Sequence, residues 1–311
     1  MQRTRTVPAA LALLAPLALL AAIAVAPAFA QGPPPSFPPQ QLDQLVARIA
    51  LYPDPLLAQV LAAATYPNDI PPAAQWADQH HYLTGQALAD AIRGDQLPWD
   101  PSVQALLPFP SVLDIMASDM NWTSQLGNAF LAEQQDVMDA VQRQRAIAER
   151  YGYLRSNPQV VVSGGPYISI MPVNPGFIVV PYYNPAVVFY APRPGFVVGG
   201  AIRFGFGVGI GGFFAPWGWG PGVRFDWGRH DVYIHDARWG RTWANRGGYV
   251  HPYEGYRRPV AGYARPAEAH EMHGRSEPER NAAREGRVVP HEEHRGEEHR
   301  GEEHRGDEKR R

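Results

Sequence analysis

The sequence predicts an α+β protein: an N-terminal bundle of short helices with one long helix, then a small β-rich Gly/Trp/Tyr region, then a disordered C-terminal tail. Three observations predict it. Between residues 42 and 150 apolar side chains recur at helical spacing behind recognisable helix starts. From Val160 the pattern changes to short β-branched and aromatic runs separated by proline and glycine. After Tyr263 the apolar residues fade, and Glu-Glu-His-Arg-Gly repeats at 292–296, 297–301 and 302–306, a composition that buries too little surface to fold alone.

In chain order, Arg3 and Arg5 precede an uncharged apolar run from Ala9 to Val25, which closes on Ala28-Phe29-Ala30. A basic start, a short apolar centre and an A-x-A exit read as a secretory signal peptide over residues 1–30, cleaved before Gln31. The run is short for a membrane span, which takes about 20 apolar residues. Residues 31–41 are proline-rich and read either as a semi-rigid extended linker or as a frayed terminus.

The helical segment, 42–155, is expected to hold helices near 42–51, 55–65, 72–81, 85–93, 101–107 and 111–119. A long one then runs from Trp122 to Arg150, its core stripe Leu126, Phe130, Val137, Val141 and Ala148. Asp54-Pro55 and Asp100-Pro101 each set an N-cap acceptor before a proline, which lacks an N–H that the first turn does not need. Thr84 reads as a further cap, and Ser111 with Asp114 as a capping-box-like pair. Strands are expected at Val160–Val162, Tyr167–Ile170, Phe177–Val180 and Ala186–Tyr190. Gly205, Gly207, Gly209 and Gly211 alternate with Phe204, Phe206, Val208 and Ile210. Period two argues for a strand with one bare face that another backbone can approach. The rival is a tightly packed glycine-rich helix, even a membrane-inserted one, since Gly-x-x-x-Gly spacing recurs there; Arg203 counts against insertion. Residues 156–263 form the β-rich region and 264–311 the charged His/Glu/Arg tail.

Composition narrows the chemistry. The chain has no cysteine, so disulfides, thiol catalysis and thiolate metal sites are excluded. Charge is segregated. Residues 41–155 hold thirteen acids and six arginines, 156–263 four acids and nine arginines, and 264–311 thirteen acids and eleven bases. Different signs in different segments point to different roles.

The helical half also carries a resemblance. Leu42-Asp43-Gln44-Leu45-Val46, the stretch from Ile49 to Gln59 and Tyr66-Pro67 look like the opening of domain-of-unknown-function family 3300, a family of exported bacterial proteins. Trp99-Asp100-Pro101-Ser102-Val103, Phe109-Pro110, Trp122-Thr123, Leu126-Gly127-Asn128-Ala129-Phe130 and Asp136-Val137-Met138 continue it. Val180-Pro181-Tyr182-Tyr183-Asn184-Pro185 and the glycine and tryptophan run are similar too. The resemblance implies export and an envelope setting, and brings no reaction, substrate or site residue with it.

No Gly-x-Ser-x-Gly elbow, P-loop, His-Glu-x-x-His or dinucleotide fingerprint is present. No cofactor is expected. The most suggestive surface is basic and aromatic: Arg203, Trp217, Trp219, Arg224, Trp227, Arg229, Trp239, Arg241 and Trp243. Aromatic faces stack on sugar rings and guanidinium forks bind phosphate. The opposing reading is that a glycine-rich sheet short of aliphatic residues fills its core with these rings.

His291, His294, His299 and His304 in the tail are candidate weak metal ligands, against a plain solvated polyampholyte. His230-Asp231 and His235-Asp236 hold ligand types, but strand positions five apart face opposite ways, which favours hairpin polars. His80-His81 reads as a helix-end cap or surface pair. The function expected is that of an exported, periplasmic or extracellular, non-enzymatic binding or structural module that contacts the cell wall, the membrane surface or a protein partner, with peripheral membrane association as one form. Its partners would be cell-wall glycan, an anionic membrane surface or an envelope protein, and not nucleic acid. The alternatives are a cell-wall hydrolase using Asp54 and Asp100, and metal buffering by the tail.

Overall fold

The computed structural model describes residues 32–192, 194–195 and 199–251. The signal-peptide and tail readings, with His291, His294, His299 and His304, lie outside the described residues.

Eight helices occupy the first half: α1 (Pro39–Val46), α2 (Asp54–Ala64), α3 (Ile70–Gln79), α4 (Gly85–Gly94), α5 (Pro101–Gln104), α6 (Pro110–Ser118), α7 (Met120–Ala132) and α8 (Gln134–Arg150). Proline stands in the first turn of α1, α2, α3, α5 and α6, where its fixed φ suits the helix. Every residue of α2 is buried, covered by α5 and α7 on the helical side and by the strands Ser169–Pro172, Arg224–Asp226 and Asp231–Ile234 from the second half. Helix α7 approaches it so closely that a Cβ on Gly127 would lie 1.9 Å from the Ala64 carbonyl oxygen.

Several capping expectations are corrected. Asp100 does cap α5, accepting from the Ser102 N–H at 2.9 Å. Asp54 makes no capping bond and lies inside α2, held instead by a buried arginine described below. Thr84 occupies the N-cap position of α4 with extended backbone but makes no side-chain cap bond. Ser111 sits inside α6, which begins at Pro110 behind Phe109, so it forms no capping box; its Oγ accepts from the Tyr182 hydroxyl at 3.2 Å. Asp119, not foreseen, caps α7 through the Trp122 N–H at 3.0 Å.

The expected long helix is two helices. The chain leaves helical geometry at Glu133 (φ −142°, ψ 51°). Two distant segments enforce the break: the Glu133 carboxylate accepts from the Phe37 N–H at 3.0 Å, and the Leu131 carbonyl accepts from the Trp243 N–H at 2.9 Å.

The second half is a set of small antiparallel ladders. β1 (Val160–Ser163) pairs with β2 (Ser169–Pro172), β3 (Phe177–Ile178) with β6 (Val208–Gly209), and β4 (Pro181–Tyr183) with β5 (Ile202–Phe204). β7 (Arg224–Asp226), β8 (Asp231–Ile234) and β9 (Ala237–Arg238) form a three-stranded meander. The strand expected at 186–190 is instead a short helix, α9 (Pro185–Val188). Asn184 caps it through the Ala186 N–H at 2.9 Å, and this Asn-Pro start outweighs the β preference of the two valines.

The two halves share one core. Trp217, Trp219 and Trp239 are fully buried, and each indole enters the helical half. Trp217 Nε1 donates to Gln104 Oε1 at 2.8 Å, Trp219 Nε1 donates to the Ala105 carbonyl at 2.8 Å, and Trp239 stacks on Phe130 at 5.0 Å. Among the described residues no helix is long and apolar enough to cross a membrane, and the alternating 204–211 segment is strand and loop.

Candidate functional site

The nine basic and aromatic residues are not gathered on one surface. Trp217, Trp219, Trp227 and Trp239 are buried and turn no ring face to solvent. Trp243 is half-buried beneath the Arg246 guanidinium, 3.8 Å from its ring. Arg241 is buried; it lies 3.6 Å over the Tyr66 ring and donates to the Thr65 carbonyl and, at 2.9 Å, to the Arg246 carbonyl. Only Arg203, Arg224 and Arg229 are exposed. Arg224 faces Asp236 at 2.7 Å and Arg229 faces Asp226 at 3.9 Å; Arg238, beside them, faces Asp231 at 2.6 Å. Arg224, Arg229 and Arg238 are thus met locally by carboxylates, whereas no ion pair joins Arg203 to a carboxylate among the described residues.

The two aspartates considered for hydrolysis belong to separate networks. Asp54 Oδ1 pairs with Arg145 at 2.7 Å with both side chains buried. Arg145 also donates to the carbonyls of Ala50, Ile168 and Tyr52 at 2.8–3.0 Å, and its guanidinium lies 4.9 Å from the Trp227 ring. Asp54 further accepts from Trp227 Nε1 at 3.2 Å and from the Ile170 N–H at 3.4 Å. This knot joins α2, α8, β2 and the β7–β8 turn. A buried pair satisfied on every side costs little, whereas either charge left alone would be expensive.

Asp100 centres the second network. Its Oδ1 accepts from Ser102 N–H at 2.9 Å, Ser102 Oγ at 2.6 Å and His251 Nε2 at 2.7 Å. Its own N–H donates to Asp69 Oδ2 at 3.0 Å. Burial pushes the Asp100 carboxyl up, but the bonds from His251 and Ser102 outweigh it and hold the group below its ordinary value. Asp69, which burial also pushes up and which feels the Asp100 charge, stays above its ordinary value. Tyr66 and Tyr249 beside them are raised as well, chiefly by burial. Asp100 thus binds the 239–251 segment to the helical half, with three donors converging on its Oδ1.

Among the described residues no group of three or more His, Asp and Glu side chains could hold a metal ion. His230 and His235 take positive φ (56° and 54°) at the two ends of β8. His230 Nε2 is 2.9 Å from Asp139, and His235 with Asp236 makes the two-residue turn into β9. His80 and His81 each donate Nδ1–H to a carbonyl of the last turn of α3, from Trp76 and Asp78, and so act as helix-end caps.

What composition did not pick out is a groove of about 570 Å³ between the α3–α4 corner and β6. Leu83, Leu88, Leu107 and Phe214 line it on the helical side, and Phe177 and the run Phe206-Gly207-Val208-Gly209 on the other. Its size falls in the range of ligand-binding clefts. The side chains around it are unusually open: Phe206 is fully exposed, Phe177 50% and Phe213 42%. Apolar groups held so far into water mark a contact surface. The one local signal for it was the phenylalanine–glycine alternation of residues 204–211.

The profile of a family described as "Protein of unknown function (DUF3300)" matches residues 38–241. A similar protein is "Uncharacterized protein YacH" of Escherichia coli (strain K12), 36% identical over 222 residues. The match covers 56% of this chain and 36% of that protein, so the chain spans about a third of the length of this relative. No solved structure matches.

Proposed function

The chain belongs to the DUF3300 family, and on that premise we propose that it is an exported, non-enzymatic envelope protein that binds a polypeptide partner in the groove beside β6. The observation that carries the reading is the clustering of exposed Phe206, Phe177 and Phe213 around one apolar cleft. The basic, apolar and small-residue order of residues 1–30 supports export. Hydrolysis is the less favoured reading because Asp54 and Asp100 are held in separate, already bonded networks. Contact with anionic glycan or lipid through the arginines is disfavoured by their pairing with Asp226, Asp231 and Asp236.

A contact of this kind is apolar, and salt screens it little. Cell fractionation followed by affinity capture tests it. The wild type is expected in the envelope fraction with a protein partner retained at high salt. Phe206→Ser is expected to lose the partner and keep its thermal melt, because the side chain it removes is wholly in solvent. Capture that is unchanged by Phe206→Ser, or that salt abolishes, rejects the reading.

A further inference from the structure

We infer that the polypeptide in this groove is a second copy of the same chain, which adds its own 204–212 segment as a strand along the free edge of β6; the inference rests on the groove being a polypeptide-binding surface. Four observations lead there.

The first is a register shift. β4 and β5 pair Pro181 with Phe204, whereas β3 and β6 pair Ile178 with Val208. Between these pairs one chain has two residues, 179 and 180, and the other has three, 205–207. One extra residue in one strand is a β-bulge, and bulges re-aim side chains. Here the bulge aims Phe206 out of the ladder, and its full exposure follows.

The second is main chain. Gly176, Gly207, Gly209 and Gly211 line the groove, and a glycine can line a wall only with its backbone. β6 has β3 on one edge and no strand on the other among the described residues. The Ile210 N–H points to β3, donating to the Gly176 carbonyl at 2.9 Å. Antiparallel alternation therefore turns the N–H and C=O of Gly209 and the C=O of Gly207 to the opposite edge. Those groups suit an added strand.

The third is the absence of charge. Among the described residues no Asp, Glu, Lys or Arg lines the groove, whose ionisable side chains are His80 and His81, and residues 204–212 contain none of the four. Two copies meeting there bring no carboxylates, lysines or arginines together. The fourth is self-complementarity. The projecting Phe206 and the apolar cleft belong to one patch, so a two-fold axis can seat each phenylalanine in the other copy's groove.

Analytical ultracentrifugation of the purified chain, with amide hydrogen exchange across a dilution series, tests this. The expected result is a dimer whose association slows exchange at 205–211. Phe206→Ser is expected to weaken association about tenfold or more, as loss of a buried aromatic anchor does, with the monomer melt unchanged. A dimer indifferent to Phe206→Ser, without protection at 205–211, overturns the inference. A chain that stays monomeric yet captures a different envelope protein through Phe206 also overturns it, and leaves the groove reading standing. A monomer whose envelope capture ignores Phe206→Ser removes both.

Discussion

At the scale of single residues, Gly127 and Arg145 carry the most structural consequence for their size. Gly127 lets α7 meet the backbone of α2 at the Ala64–Thr65 step, where a methyl group would overlap a carbonyl oxygen that cannot swing aside. Gly127→Ala is therefore expected to cost about 1–3 kcal/mol by overpacking, although alanine is the better helix former; chemical denaturation reads the change, and a neutral or stabilising result would contradict the close approach. Arg145 and Asp54 stand 91 positions apart in sequence, as 145 and 54, and neutralise each other in the core. Asp54→Asn leaves the guanidinium buried without its counter-charge and is expected to cost about 3–5 kcal/mol. If Asp54 acted only as a helix cap, the asparagine would replace it at almost no cost, since both residues cap well. The same comparison explains what was hidden in the sequence at this position. Asp-Pro is a local signal, and its local meaning is a cap. The partner that overrides it arrives from α8.

Among the elements, those fixed by short-range chemistry were legible and those fixed by distant contacts were not. The start of α5 follows from Asp100-Pro101, and the β1–β2 hairpin from its valine and isoleucine runs, whereas the β preference of Val187 and Val188 hid the Asn-Pro start of α9. The break between α7 and α8 has no glycine or proline to announce it; Phe37 and Trp243 impose it from outside. The tryptophans were ambiguous for the same reason, since the spacing of Trp217 and Trp219 is identical whether an indole faces a sugar or Gln104. The groove was half legible: alternation gave a bare-faced strand, but not the helix corner opposite it or the bulge at Phe206. One element invites improvement. The turn from β8 to β9 holds His235 and Asp236 at φ of 54° and 60°, the geometry of a type I′ hairpin, which Asn-Gly fits without strain. Replacing the pair by Asn-Gly forfeits the exposed Arg224–Asp236 bridge, a contact of small worth. The double substitution is expected to raise stability by about 1 kcal/mol, the relieved left-handed strain exceeding the freedom a glycine adds to the unfolded chain; a lowered melting temperature would mean the turn is held by more than its own dihedral preferences.

For the whole molecule, the attachment of the 239–251 segment to the helical half makes stability depend on pH in a way that two neighbouring carboxylates separate. Asp100 has a folded value below its ordinary 3.8, so its contribution is present above that point and is lost as pH falls through the lower folded value. Asp69 is shifted the other way: with its folded value above 3.8, its ionised form is disfavoured in the native state, and it subtracts stability once the pH has risen past that value. Asp100→Asn should therefore lower the melting temperature most near neutrality, by the equivalent of about 2 kcal/mol for a lost charge-assisted bond, with the gap to wild type closing in strong acid. Asp69→Asn keeps an oxygen to accept the Asp100 N–H while removing the charge, so it should raise stability near neutrality and converge on wild type in acid. Melting curves of the two variants across pH 2–8 (a range set by these titrations) would then diverge in opposite directions from a common acid limit. Parallel curves would show that the His251–Asp100 contact is not what holds the last described residues to the helices. Because Trp239, Arg241 and Trp243 all lie in that segment and all reach the helical half, its release would strip cover from Phe130 and Tyr66. The acid sensitivity that Asp100 brings is thus a property of how the two halves are joined.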